Sequence, residues 1–99
     1  MHVVFEWDRA KARTNRAKHR VSFEEARTVF LDPMALTMRD EVHSGDEDRL
    51  ITIGISGAGR LLMVVHTEVY EAPDTVVVRL ISSRRAATAE RREYEQREE

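Results

Sequence analysis

Cysteine is absent from all 99 residues. That excludes disulfides and thiolate-held metal sites, and it fits a reducing compartment. Absent too is any apolar run approaching the roughly 18–20 residues a membrane helix needs. The opening MHVVFEWDRAK carries only a short apolar stretch and no small-residue cleavage site, unlike a secretory leader. A cytoplasmic protein without membrane association is expected. No repeat, linker or low-complexity segment interrupts the chain, so residues 1–99 are expected to form a single domain with one modest core.

Enzyme signatures are missing as well: no phosphate loop, no GxSxG, no HExxH and no dinucleotide fingerprint. The four histidines, His2, His19, His43 and His66, are scattered without helical or strand spacing for a metal. His43 with Asp46 and Asp48 offers hard ligands for a divalent cation, although an acidic loop of this kind is ordinarily just solvated. No metal and no cofactor are expected.

What is present is charge and β-branched strand sequence. The chain is 41% hydrophobic and 34% charged with a net charge of −2, the profile of a soluble globular protein. Charge is segregated: residues 1–30 sum to +3, residues 31–60 to −3 and residues 61–99 to −2. A local basic patch is therefore compatible with an acidic total. Of the 16 basic side chains fourteen are Arg. Their planar fork grips phosphate or carboxylate bidentately, although a GC-rich genome would produce the same bias.

Val3–Trp7 reads as a first strand, with Phe5 and Trp7 directed to the core. Asp8 is placed as the N-cap of a helix over RAKARTNRAKH. Ser22 and Glu25 form a capping box for a second helix, Phe23–Phe30, whose apolar face is Phe23, Ala26, Val29 and Phe30. Leu31-Asp32-Pro33 ends it. Strands follow at Ala35–Arg39, Leu50–Ser56, Arg60–Glu68 and Thr75–Ser82. A tight hairpin is expected at Ser56–Gly59, a Pro turn at Glu71–Asp74, and a last helix at about Ala86–Arg97. The order β-α-α-β-β-β-β-α is that of an α+β domain, an antiparallel sheet packed against helices. Ile51, Ile53 and Ile55 alternate with Thr52, Gly54 and Ser56, so the more polar side is expected to lie open for a site.

With no enzyme motif, metal-free phosphate chemistry is what these residues allow. Cleaving RNA by its own 2′-hydroxyl requires an in-line backbone, donors for the phosphorane charge and two proton transfers. Arg60 opens a strand after the Gly57–Gly59 turn. Arg49 opens the preceding strand, close to Arg60 if the hairpin is tight, with Glu47 on its side. Arg84 and Arg85 follow the last strand at a helix mouth, where free N–H groups attract anions. Arg49, Arg60 and Arg84 would thus come together from three strand ends, or each would simply be an exposed charge. Lys11, Asn15, Lys18 and His19 form one stripe of the first helix, able to follow a phosphate backbone or merely to complement the helix terminus. Arg79, inside VVVRLIS, requires a partner or an opening on the sheet.

The segments FEWDRAKARTNRAKHRVSFEEARTVFLDP, HSGDEDRLITIG, GRLLMVVHTE and VRLISSRRAATAERREYE, in this order over nearly the whole chain, resemble the BrnT toxin family of bacterial type II toxin–antitoxin systems. The resemblance implies a RelE-like fold and a metal-independent endoribonuclease that blocks translation and arrests growth. It implies an RNA substrate, a cognate BrnA-like antitoxin, and operator DNA contacted only through that antitoxin. Arg60 and Arg84 match positions where such toxins bind phosphate, and Glu47 and Arg49 match a family motif, giving a catalytic set of Arg60, Arg84, Glu47 and Arg49. Lys18, His19, Arg79 and Arg85 would extend the nucleic-acid surface, and Tyr94 is a further proton-handling or stacking candidate. Two positions depart from the family: Arg20 stands where Gly is usual after Lys-His, and Val69 where a basic residue is common. The alternative is a toxin-fold module that has lost cleavage and acts only with its antitoxin in autoregulation.

Overall fold

A computed structural model of the chain describes residues 1–43, 45 and 47–97; Asp46 of the acidic loop lies outside them. Five strands, β1 (His2–Glu6), β2 (Leu36–Arg39), β3 (Leu50–Ile55), β4 (Leu61–Ala72) and β5 (Thr75–Arg85), form one sheet in the order β1-β5-β4-β3-β2. The expected antiparallel meander is β2 to β5, and β1 adds to it in parallel, Val3 beside Val76 and Glu6 beside Arg79. The connection out of β1 carries the helices, as a parallel crossover requires.

Local chemistry sets those helices. Asp8 Oδ1 accepts the N–H groups of Ala10 at 2.8 Å and Lys11 at 3.0 Å, starting α1 (Arg9–His19). Arg20 closes it in the left-handed region (φ 59°, ψ 34°), where glycine is the usual residue. The helix therefore stops where the family's Gly would stop it, and strain is the cost. Ser22 Oγ accepts the Glu25 N–H at 3.0 Å to open α2 (Phe23–Ala26), which tightens into a 3₁₀ turn over Arg27–Leu31. One continuous α-helix to Phe30 was expected. The three-residue spacing of Phe23, Ala26 and Val29, all fully buried, suits a three-residue turn.

The sheet has two faces. Phe23, Ala26, Val29 and Val21 pack with Leu62, Val64, Val78 and Leu80 under α1, α2 and the 3₁₀ turn. Phe5 packs at a tilt against Phe30 (5.3 Å between centroids) and Trp7 edge-to-face against Phe23 (5.9 Å), the core role expected for both. Burying one such ring contributes about 1.5–3 kcal/mol. The second face carries Ile53, Leu61, Met63 and Val65, partly covered by Tyr94 of α3 (Thr88–Gln96).

The Thr/Gly/Ser side of β3 is the covered one, contrary to its polar reading. Thr52 is buried, bonded to Thr37 Oγ1 and His66 Nε2 at 2.7 Å each. A Cβ on Gly54 would meet Val29 Cγ1 at 2.8 Å, so glycine lets the 3₁₀ turn lie down on the strand. The open face is the isoleucine side. Among the described residues no helix is long and apolar enough to cross a membrane.

Candidate active site

β5 runs three residues further than its apolar pattern suggested, to Arg85, so Arg84 and Arg85 are strand residues instead of a helix mouth. A register shift between Val65 and His66 inserts one extra residue in β5, with Ser82 opposite Val65 and Leu80 opposite His66. Arg84 lies five positions after Arg79, an odd step that would ordinarily put them on opposite faces. The bulge restores them to one face, the open one. Past the end of β1, the edge of β5 is taken up by a side chain. Asn15 Nδ2 donates to Ser83 O at 2.8 Å and Oδ1 accepts from Ser83 N at 3.0 Å, imitating a neighbouring strand. Asn15 is thus buried, leaving Lys11, Lys18 and His19 as the outward part of the α1 stripe.

A cleft of about 450 Å³ opens on this face between the Asp40 loop, the strands and α3; its lining includes Arg49, Arg84, Glu90, Asp40, His43 and Ser82 over a floor of Ile51, Met63 and Val65. A second depression, with Lys11, Lys18, His19, Ile81 and Ser82 in its wall, adjoins the cleft through Ser82. A larger hollow of about 510 Å³ lies away from both, between α1 and Ser22–Glu24, and holds none of the nominated residues.

Arg84 and Arg49 are therefore brought together, and Arg60 is not. Leu50 pairs with His66 and Ile55 with Leu61, so Arg49 and Arg60 stand at opposite ends of the β3–β4 hairpin, roughly 23–24 Å apart at about 3.3–3.4 Å per residue. Arg60 also faces the other way. Its Nε donates to Glu25 Oε2 at 2.9 Å, its Nη2 to Glu25 Oε1, and Nη2 to the Arg20 carbonyl at 3.1 Å. Ser56 Oγ donates to the same carboxylate at 2.6 Å. The Arg60 bonds, with help from Ser56, hold Glu25 below the ordinary carboxylate range despite its burial. Arg85, opposite Leu62, adds positive charge on that side.

Arg84 is forked on Glu90, Nη1 to Oε1 and Nη2 to Oε2, both 2.8 Å, and Nη1 also donates to the Arg85 carbonyl at 3.1 Å. Glu90 is the third residue of α3, in its first turn, and accepts the Ala87 N–H at 2.8 Å, so one carboxylate caps α3 and orients Arg84. Burial works to raise the Glu90 pKa, and the bonds from Arg84 and Ala87 outweigh it, leaving it lowered. Among the described residues nothing takes two of the five guanidinium N–H groups of Arg84. Arg49 stands 3.5 Å from Glu47, which is exposed at the rim.

Of the others, Arg79 has the partner its position required, Glu6 at 2.9 Å, in an exposed pair. Tyr94 donates to Asp32 Oδ2 at 2.6 Å; burial and that carboxylate push its pKa up to about 12, and the bond ties α3 to the corner before β2. Asp46 of the expected cation loop lies outside the described residues, and among the described residues His43 makes no contact with Asp48. The His43 Nδ1 lies 3.3 and 3.2 Å from the two oxygens of buried Asp40. Among the described residues no three His, Asp or Glu side chains are grouped to hold a metal ion. Sequence reasoning missed the pairings of Asp40 and Glu90. Their signals were short spacings, Asp-x-x-His in a turn and Glu at the third helix position.

The family model for the ribonuclease toxin BrnT of type II toxin–antitoxin systems matches residues 7–90, from Trp7 through Glu90. The chain belongs to the BrnT toxin family. A solved structure of the Brucella abortus ribonuclease toxin BrnT, at 1.1 Å, superposes with a TM-score of 0.63 and 22% identity, over 89% of this chain and 100% of that one. That likeness is one of fold, and the α+β arrangement is shared. Comparison with curated protein sequences finds no match. The BrnT family is one of ribonuclease toxins whose counterpart is an antitoxin.

Proposed function

We propose that this chain is an active, metal-independent endoribonuclease of the cytoplasm, neutralised by a BrnA-like antitoxin, and that the cleft on the open face is where RNA is cut. The observation that carries this reading is the convergence of Arg84 and Arg49 in one cleft, with Arg84 already oriented by Glu90 and, among the described residues, two N–H groups to spare. The 2′-hydroxyl attacks the adjacent phosphorus in line, and the two guanidinium groups take up the charge that develops on the equatorial oxygens. Preorganisation matters here because the donors need no reorientation as charge builds. Lys18 and His19, next door through Ser82, steady the flanking backbone, and exposed Arg79 adds a further cation on this face. On this reading Arg60, with Arg85 nearby, braces the junction of α1 and α2 through Glu25.

The second reading, a module without cleavage, draws on one fact: Arg60 and Arg84, the two arginines matching phosphate positions, are both closed on carboxylates. Induced expression separates the two. Active enzyme is expected to halt growth with loss of mRNA, to be relieved by the neighbouring antitoxin gene, and to cleave RNA in EDTA when purified. Normal growth and intact RNA, with the antitoxin still bound, support the module. Activity lost on chelation and regained with a divalent ion contradicts the metal-free mechanism.

A further inference from the structure

We infer that His43 is the general base of the cleft and that buried Asp40 is its positioning residue; the inference rests on the ribonuclease reading and names the proton acceptor that reading lacks. Both side chains line the cleft that holds Arg49, Arg84 and Glu90. The pair divides accessibility as a working dyad does: the His43 side chain is 69% exposed and that of Asp40 only 9%. Asp40 Oδ1 also accepts the His43 backbone N–H at 3.2 Å, so the turn that carries the histidine is fastened to the carboxylate that orients its ring.

The ring contact defines the tautomer. With Nδ1 at 3.3 and 3.2 Å from the two Asp40 oxygens, the proton resides on Nδ1 and is donated to the carboxylate. Nε2 then carries the lone pair, which is the state a general base needs. Among the described residues, the charged groups sharing the cleft with the ring are Asp40, Arg49, Arg84 and Glu90. Asp40 lies against the ring nitrogen opposite the one that takes the proton.

In the step itself the 2′-hydroxyl proton passes to His43 Nε2 as the 2′-oxygen bonds to phosphorus. The bond from phosphorus to the 5′-oxygen breaks, and the departing alkoxide takes a proton from water. The imidazolium then returns its proton to solvent. The products are a 2′,3′-cyclic phosphate and a 5′-hydroxyl, with no net redox change and no co-reactant.

His43→Ala is expected to lower kcat on a short RNA by about 10²- to 10⁴-fold, the usual worth of a positioned base. Because His43 is exposed, the thermal midpoint should not move. Millimolar imidazole should restore part of the rate, the open cleft leaving room for it. Asp40→Asn should lower kcat by a smaller factor at unchanged KM, and should add nothing in the double variant with His43→Ala. Full activity of His43→Ala, in a series where Arg84→Ala is dead, overturns the base assignment and leaves the ribonuclease reading standing. Loss of activity with no response to imidazole overturns it too. An inactive wild-type protein overturns both.

Discussion

His66 shows how one buried side chain ties this fold to pH. It is fully buried, bonded through Nε2 to Thr52 and packed edge-on against Phe30 at 4.9 Å. Burial lowers its pKa from 6.5 to about 4, outweighing the backbone hydrogen bond with Thr67 that works to raise it. The folded state thus holds a neutral ring that the unfolded chain protonates below pH 6.5. Stability is present above that value and is lost as the pH falls toward about 4, by on the order of 3 kcal/mol in all. Glu25 and Glu90, both lowered from 4.5, stay charged over the upper part of that window, so the loss there belongs to His66. Melting curves at pH 7 and pH 5 are expected to show a larger fall for wild type than for His66→Gln. Equal falls contradict the assignment.

The elements hold two strained or substituted positions whose energies are separable. Arg20→Gly relieves a left-handed backbone and is expected to stabilise by about 0.5–1 kcal/mol, the Arg60 bond to the residue-20 carbonyl being kept. Thermal unfolding checks this; for a chain of this size the midpoint should rise a few degrees, and a fall would contradict it. Asn15→Ala strips the imitation strand from β5, leaving Ser83 N, Ser83 O and Val21 O without their buried partner. An expected loss of about 2 kcal/mol or more, read by denaturant midpoint, follows from the cost of unsatisfied groups. Most of this architecture was legible, because Asp8, Ser22 and the apolar alternation act locally. The bulge in β5, the 3₁₀ turn and the role of Asn15 were not. Each depends on a partner far along the chain: Val65 for the bulge, Gly54 for the 3₁₀ turn and Ser83 for Asn15.

At the scale of the whole molecule, the sheet separates what the sequence grouped. Arg49, Arg60 and Arg84 are all basic residues at strand ends or in strands, and nothing local says which face each takes. Strand alternation sends Arg60 to the side of Glu25, and the bulge sends Arg84 to the side of the cleft. The family pattern identified the residues without their grouping, and only long-range register reveals that. An acidic total charge of −2 is consistent with a site confined to one face. The claim that this face alone does the chemistry is tested most directly by the initial rate of RNA cleavage in EDTA for Arg84→Ala and Arg60→Ala, each at a temperature well below its own melting midpoint. Arg84→Ala is expected to lose at least about 100-fold, the scale of a preorganised charge-stabilising donor, and Arg60→Ala to keep near wild-type rate while melting lower. A well-folded Arg84→Ala that cleaves like wild type, or a well-folded Arg60→Ala that does not cleave, would contradict it.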